Sequence, residues 1–192
     1  TGRVIVFFNG WGMDGKAVQH IKGDYDILVI NDYRQLDIEN LPELVSYQEI
    51  YVVAWSMGVW AAANTLMDWG ISYERLIALN GTEHPVNDLW GIPEKIYRLT
   101  ERGMNAAGRE KFMLRMLDNA AERERFVDNR PQREVEEVCD ELVAIRLQAE
   151  TRQHSLIWDK VYISSGDVIF SSTNQLAWWD NRAKKIVKLD GG

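Results

Sequence analysis

The stretch VVAWSMGVWAAA, residues 52–63, carries β-prone residues into a serine, a glycine and then an alanine-rich apolar run. β-branched residues favour a strand and alanines favour a helix, so Ser56 falls at a strand-to-helix turn. Ala54-Trp55-Ser56-Met57-Gly58 departs by one residue from Gly-x-Ser-x-Gly, the strained elbow that lifts a nucleophilic serine hydroxyl above a sheet. Small residues two before and two after the serine let the helix pack hard against the strand; alanine serves at the first of them at some steric cost. The Met57 N–H, at the helix N-terminus, then points at a developing oxyanion. The alternative for Ser56 is a structural serine in an ordinary turn.

Apolar runs rich in Val, Ile, Leu and aromatics recur at 3–8, 26–30, 49–53, 75–80, 160–164 and 185–189. Most are continuous instead of alternating, which predicts strands buried on both faces. Helical patterns lie between them at 14–21, 57–69 and 172–179. Strand alternating with helix predicts a mostly parallel sheet in an α/β domain. Residues 82–155 break the rhythm, with charges mixed among Leu, Ile, Met and Phe at helical spacing and with Gly103, Gly108 and Pro131 as punctuation. This predicts a helical lid subdomain of three or four helices, inserted between two strands of a single domain that spans 1–192.

Two further motifs fall where an α/β-hydrolase fold needs them. FFNGWG, residues 7–12, ends a strand in a glycine-flanked loop. In that fold a His-Gly-x loop after an early strand donates the second oxyanion N–H. Asn9 replaces the His, Gly10 and Gly12 permit close backbone approach, and the Trp11 N–H becomes the second donor. An ordinary Asn-Gly turn is the alternative. The strand at 161–164 ends in Ser165-Gly166-Asp167, and the order serine, then acid, then histidine gives Asp167 the role of orienting acid. A strand-end Asp is often a helix cap, but Ser171, Ser172 and Thr173 are better placed to cap the helix that follows. Aromatic crowding around the elbow predicts an apolar pocket walled by Trp11, Trp55, Met57 and Trp90.

Composition narrows the partners. Hydrophobic residues at 46% and charged residues at 27% are ordinary for a globular protein. The net charge of −7 argues against a general nucleic-acid binder. No apolar run approaches a membrane span and no secretory pattern opens the sequence, so a cytoplasmic location is expected. Cys139, the single cysteine, reads as a structural thiol in a helix. Between Lys95 and Arg133 ten Lys/Arg stand against six Asp/Glu, a balance of +4 that leaves −11 for the rest of a chain at −7. A basic segment on an acidic protein suggests an acidic partner, against the alternative of a solvated, ion-paired helix surface.

Gly10-Trp11-Gly12, the alanine-first elbow, Asn80-Gly81-Thr82, Gly91-Ile92-Pro93 and Ser164 to Phe170 together resemble the BioG-type esterases. These are short pimeloyl-acyl-carrier-protein methyl ester esterases of biotin synthesis, and the likeness runs from the first strand to the last. It implies that Ser56 is the nucleophile, Asp167 the orienting acid, and Trp11 and Met57 the oxyanion donors. It implies a methyl ester on a carrier-bound acyl chain as substrate, with no metal or cofactor. The strongly acidic carrier protein would then dock on the basic insertion, with Arg98, Arg102, Arg109, Arg115, Arg123 and Arg125 as candidate contacts. Two alternatives stay open: a serine esterase or thioesterase for another acyl group, and a hydrolase fold that binds without turnover.

The base is harder to find. His20 ends the first helical pattern and His154 precedes a strand, so neither falls on the catalytic edge. His84 follows a strand but lies four residues past its end and beside Pro85. The fold places its histidine just after the last strand, where Asp190-Gly191-Gly192 opens the loop. The expectation is therefore a catalytic histidine shortly after Gly192, without which Ser56 lacks activation.

Overall fold

The apolar runs do form strands. The computed structural model describes residues 2–36, 41–117 and 119–191. In it β1 (Arg3–Phe8), β2 (Asp26–Ile30), β3 (Glu49–Trp55), β4 (Arg75–Leu79), β5 (Lys160–Ser164) and β6 (Ile186–Leu189) follow in chain order. Among the described residues they make one sheet in the order β2-β1-β3-β4-β5-β6, with every neighbouring pair parallel. Phe8 pairs with Ala54, Trp55 with Leu79, and Leu79 with Tyr162, so the C-terminal ends of four adjacent strands share one edge. Open parallel sheets bind their ligands at that edge.

The strand order fixes where everything else goes. Only the β1-to-β2 step runs toward one end of the sheet; every later connection steps the other way. Right-handed crossovers therefore put the segment between β1 and β2 on one face and all later connections on the other. Burial follows this division. Val4, Val6, Val52, Ala54, Leu76, Ala78, Val161 and Ile163 are fully buried, whereas Ile5, Tyr51, Val53, Ile77, Leu79 and Tyr162, on the opposite face, are only half-buried. The expectation of strands buried on both faces is thus corrected. Continuous apolar runs record suitability for burial, and the described chain supplies a full cover for one face alone.

On the covered face lie α1 (Gly58–Trp69) and α6 (Ser172–Trp179). Helix α1 buries Trp60, Ala61 and Ala62 and stops at Gly70, whose left-handed φ of 70° caps it. Ser171 caps α6, its hydroxyl accepting from the Asn174 N–H. The helix expected over 14–21 shrinks to a 3-10 turn at Gly15–Ala17. Val18 is the only fully buried residue of that stretch, which leaves no apolar stripe to hold a longer helix. The Asp14 carboxylate caps the turn at Lys16 N–H and also accepts from Gln132 N–H at 2.7 Å.

Between β4 and β5 the chain makes α2 (Glu94–Gly103), α3 (Ala106–Arg115), α4 (Ala120–Asp128) and α5 (Val135–Ala149). Asn105 and Asn119 cap α3 and α4 with their side-chain oxygens. Helix α5 joins the core through Val138, Leu142 and Ile145, and α2 fastens to it through the Tyr97 hydroxyl, 2.8 Å from Leu142 O. Arg146 of α5 pairs with Glu101 of α2 at 2.8 Å. The two ends of this insertion meet at one buried carboxylate. Glu83 accepts from Ser155 Oγ at 2.7 Å, Leu156 N–H at 2.7 Å and the Trp158 indole at 2.8 Å. Among the described residues no helix is long and apolar enough to cross a membrane.

Candidate active site

Ser56 sits between β3 and α1 with φ at +57°, a left-handed backbone that non-glycine residues adopt at a cost. Its N–H is held by Leu79 O at 2.9 Å. The glycines around it leave no alternative. A Cβ on Gly81 would stand 2.3 Å from Ser56 O. These approaches lock the turn, and the Ser56 hydroxyl has no hydrogen-bond partner among the described residues.

The loop after β1 lies across from it. Asn9 N–H goes to Ile30 O, Gly10 N–H to Asn9 Oδ1, Gly12 N–H to Glu141 Oε2 at 3.2 Å and Met13 N–H to Gly10 O. Trp11 N–H alone in this run has no protein acceptor among the described residues, and the same holds for Met57 N–H at the start of α1. Two unsatisfied N–H groups beside a serine are what a tetrahedral oxyanion requires. The Trp11 indole is turned away, donating to Val138 O at 2.9 Å.

Asp167 follows β5. Its Oδ1 accepts from the N–H groups of Ile169 and Phe170, both at 2.9 Å, and Oδ2 accepts from Gln175 Nε2 at 3.0 Å. Burial pushes its carboxyl up to about 6, against these three donors that favour the charged form. The Gly166 N–H donates to Gly191 O at 2.7 Å, so the chain leaving β6 passes beside Asp167.

Ser56, Trp11, Met57 and Asp167 line one cavity of about 150 Å³ together with Trp55, Phe112, Arg115 and Met116. A smaller void of about 20 Å³ adjoins it, shares Trp11, Met57 and Phe112 with it, and is lined mainly by apolar residues, among them Ile92, Ile96, Tyr97 and Leu142. An open groove on the half-covered sheet face reaches Trp55 and Asn80 from the other side.

Trp90 does not join this cavity, contrary to expectation. Its ring packs 5.2 Å from His84 and 5.3 Å from Trp178, because the loop after β4 folds onto α6. His84 sits in the same aromatic cluster, 4.2 Å from Trp178, and burial together with Arg182 lowers its pKa. None of the three histidines lines the Ser56 cavity: His20 borders the open groove and His154 is exposed. Asp190 and Gly191 lie beyond β6, and Gly192 is outside the described residues.

The arginines of the insertion divide. Arg115 enters the cavity wall from α3. Arg102 and Arg123 are exposed, Arg125 borders the open groove, and Arg98 pairs with Glu94 one turn away. Arg109 is half-buried. Its guanidinium is spent on Arg133 O and Pro131 O, at 2.5 and 3.1 Å, which ties α3 to the start of α5. Sequence reasoning missed Phe112, Met116, Asn80 and Glu141. The first two were visible as an apolar helix stripe, but their target was not.

A family model described as "Pimeloyl-ACP methyl esterase BioG" matches residues 1–192. A malonyl-[acyl-carrier protein] O-methyltransferase of Bacteroides fragilis is 40% identical over 189 residues, covering 97% of this chain and 38% of the relative. The chain thus spans well under half of that protein's length. The crystal structure of BioG from Haemophilus influenzae superposes with a TM-score of 0.89 at 32% identity, over 99% of this chain and 88% of that one. A lipase-esterase related protein from Clostridium acetobutylicum shares the fold at 10% identity and a TM-score of 0.66, over 100% and 87% of the two chains. With an α/β-hydrolase sheet, a strained serine elbow and a family match along its full length, the chain belongs to the BioG family.

Proposed function

We propose that this chain hydrolyses the methyl ester of an acyl chain carried on acyl carrier protein, pimeloyl-carrier-protein methyl ester above all, through an acyl-enzyme on Ser56. One observation carries the reading. A serine held at φ +57° shares a cavity with a half-buried aspartate and with the unpaired N–H groups of Trp11 and Met57. Ser56 attacks the ester carbonyl, the two N–H groups take the oxyanion, methanol leaves, and water then releases the free carboxylate. The apolar void beyond Trp11 suits methylene groups. The bond from Gly166 N–H to Gly191 O supports a base at this edge of the sheet, since it brings the segment after β6 beside Asp167.

The insertion acts as a lid and as the docking face for the carrier, an acidic protein of the cytoplasm, through Arg98, Arg102, Arg115, Arg123 and Arg125. The test is hydrolysis of a carrier-bound and a free methyl ester by the full-length native protein. Wild-type turnover, its loss in Ser56→Ala and preference for the carrier-bound ester are the expected results. Turnover that survives Ser56→Ala, or preference for a thioester, would overturn the reading.

A further inference from the structure

Glu141 is a fully buried carboxylate on α5, in a helix that otherwise contributes apolar side chains to the core. Its Oε2 accepts from Gly12 N–H at 3.2 Å and from Arg133 Nη1 at 2.6 Å, and its Oε1 accepts from Tyr33 N–H at 2.8 Å. Tyr33 in turn donates its hydroxyl to Asn9 O at 2.7 Å. One turn before Glu141, Val138 O receives the Trp11 indole. Both ends of the loop that carries the Trp11 N–H are therefore held by one face of α5 and by the residue that Glu141 orders after β2.

A buried carboxylate is expensive unless it is fully paired, and Glu141 is paired by three donors that would lose their acceptor with any apolar residue at 141. Gly12 adds a reason for the charge. Its φ of +71° is a left-handed backbone open to glycine, and its N–H is held there by the Glu141 carboxylate. The Trp11–Gly12 peptide held this way fixes ψ of Trp11, and the next peptide back, Gly10–Trp11, which carries the Trp11 N–H, is joined to it through the Trp11 Cα.

We propose that Glu141 is a positioning residue for the reaction, fixing the Trp11 oxyanion donor by clamping Gly12 N–H and Tyr33 N–H to α5. The inference rests on the esterase reading of the Ser56 cavity. It also divides the insertion: α5 is part of the catalytic scaffold, and covering the site falls to α3 and its C-cap, which supply Phe112, Arg115 and Met116.

The test uses Glu141→Gln in the full-length native protein, with Glu101→Gln as the comparison. Glu101 binds the same helix through Arg146 but touches neither loop. Amide hydrogen exchange over residues 9–13 and kcat and KM for a free methyl ester are measured together. Glu141→Gln is expected to speed exchange at Gly12 at least tenfold and to lower kcat about 10- to 100-fold with KM within about twofold, a part of what losing an oxyanion donor costs. Glu101→Gln is expected to lower the melting temperature and leave kcat within about twofold. Should Glu141→Gln fail to fold, Tyr33→Phe, which removes the hydroxyl bonds to Asn9 O and Ile30 O, is read the same way and is expected to lower kcat by a smaller factor. Unchanged exchange, unchanged kcat, or an equal kcat loss in Glu101→Gln would overturn the inference. Hydrolysis that survives Ser56→Ala would instead overturn the esterase reading, and exchange at Gly12 would still decide whether the clamp exists.

Discussion

Gly58 of α1 stands against Phe8 of β1 so closely that a Cβ would come within 2.3 Å of the Phe8 carbonyl oxygen. The helix that presents Ser56 is thereby seated on the strand that leads into the oxyanion loop. Both obstacles, Phe8 O and Asn9 O, are backbone, so nothing flexible can yield. Gly58→Ala is expected to cost about 3 kcal/mol or more, a melting-temperature drop of roughly 6–12 °C for a domain of this size. It should also abolish hydrolysis, because the Met57 N–H moves with the helix. Thermal unfolding and a free-ester assay check both.

Asp167 predicts an unusual pH dependence. Its folded pKa is raised by burial to about 6, above the unfolded value, so the folded chain binds more protons between the two. Stability contributed by the protonated form is present at low pH and declines as pH rises from about 4 to about 6. Asp167→Asn in this 192-residue chain should remove that decline and raise the melting temperature at pH 7 by a few degrees, while ending catalysis. Melting curves at pH 4, 5, 6 and 7 decide it. An equal slope in both proteins would count against the assignment.

His84 and Trp90 serve folding by their position. His84→Gln is expected to leave the pH profile of hydrolysis unmoved and kcat within about threefold, since the imidazole faces Trp178 and not Ser56. Trp90→Ala should lower stability by about 2–4 kcal/mol through lost ring packing without changing acyl preference.

The proposed carrier docking separates the arginines. Joint reversal of Arg98, Arg102 and Arg123 to Glu is expected to weaken use of carrier-bound ester by tenfold or more, in a salt-dependent manner, and to spare a free methyl ester. Arg109→Glu should instead lower stability and both activities, because it removes the bonds to Pro131 and Arg133. Equal losses on both substrates for the triple reversal would deny the docking role.

The sheet and the elbow were legible because their signals are local. A strand's apolar run, the small residues flanking Ser56 and the turn at Asp167 each lie within a few positions of one another. The clamp was not legible. EVEEVCDELV reads as a helical pattern around Cys139, and which of its carboxylates turns inward depends on Gly12 and Tyr33, 129 and 108 residues away. Trp90 shows the reverse case. It lay in the right region of the sequence, but the loop that bears it leaves the elbow to pack on α6. Burial on the second sheet face was overread because composition cannot say what will cover it.

The neck at Glu83 has an evolutionary consequence. One carboxylate joins the place where the chain leaves β4 to the place where it returns, so the helices between are a cassette with adjacent ends. Lengthening or exchanging such a closed excursion adds little closure entropy and leaves the strand order untouched. Different helices can therefore be grafted at the neck while the nucleophile stays where it is, provided the incoming cassette brings its own acceptors for Gly12 N–H, Tyr33 N–H and the Trp11 indole.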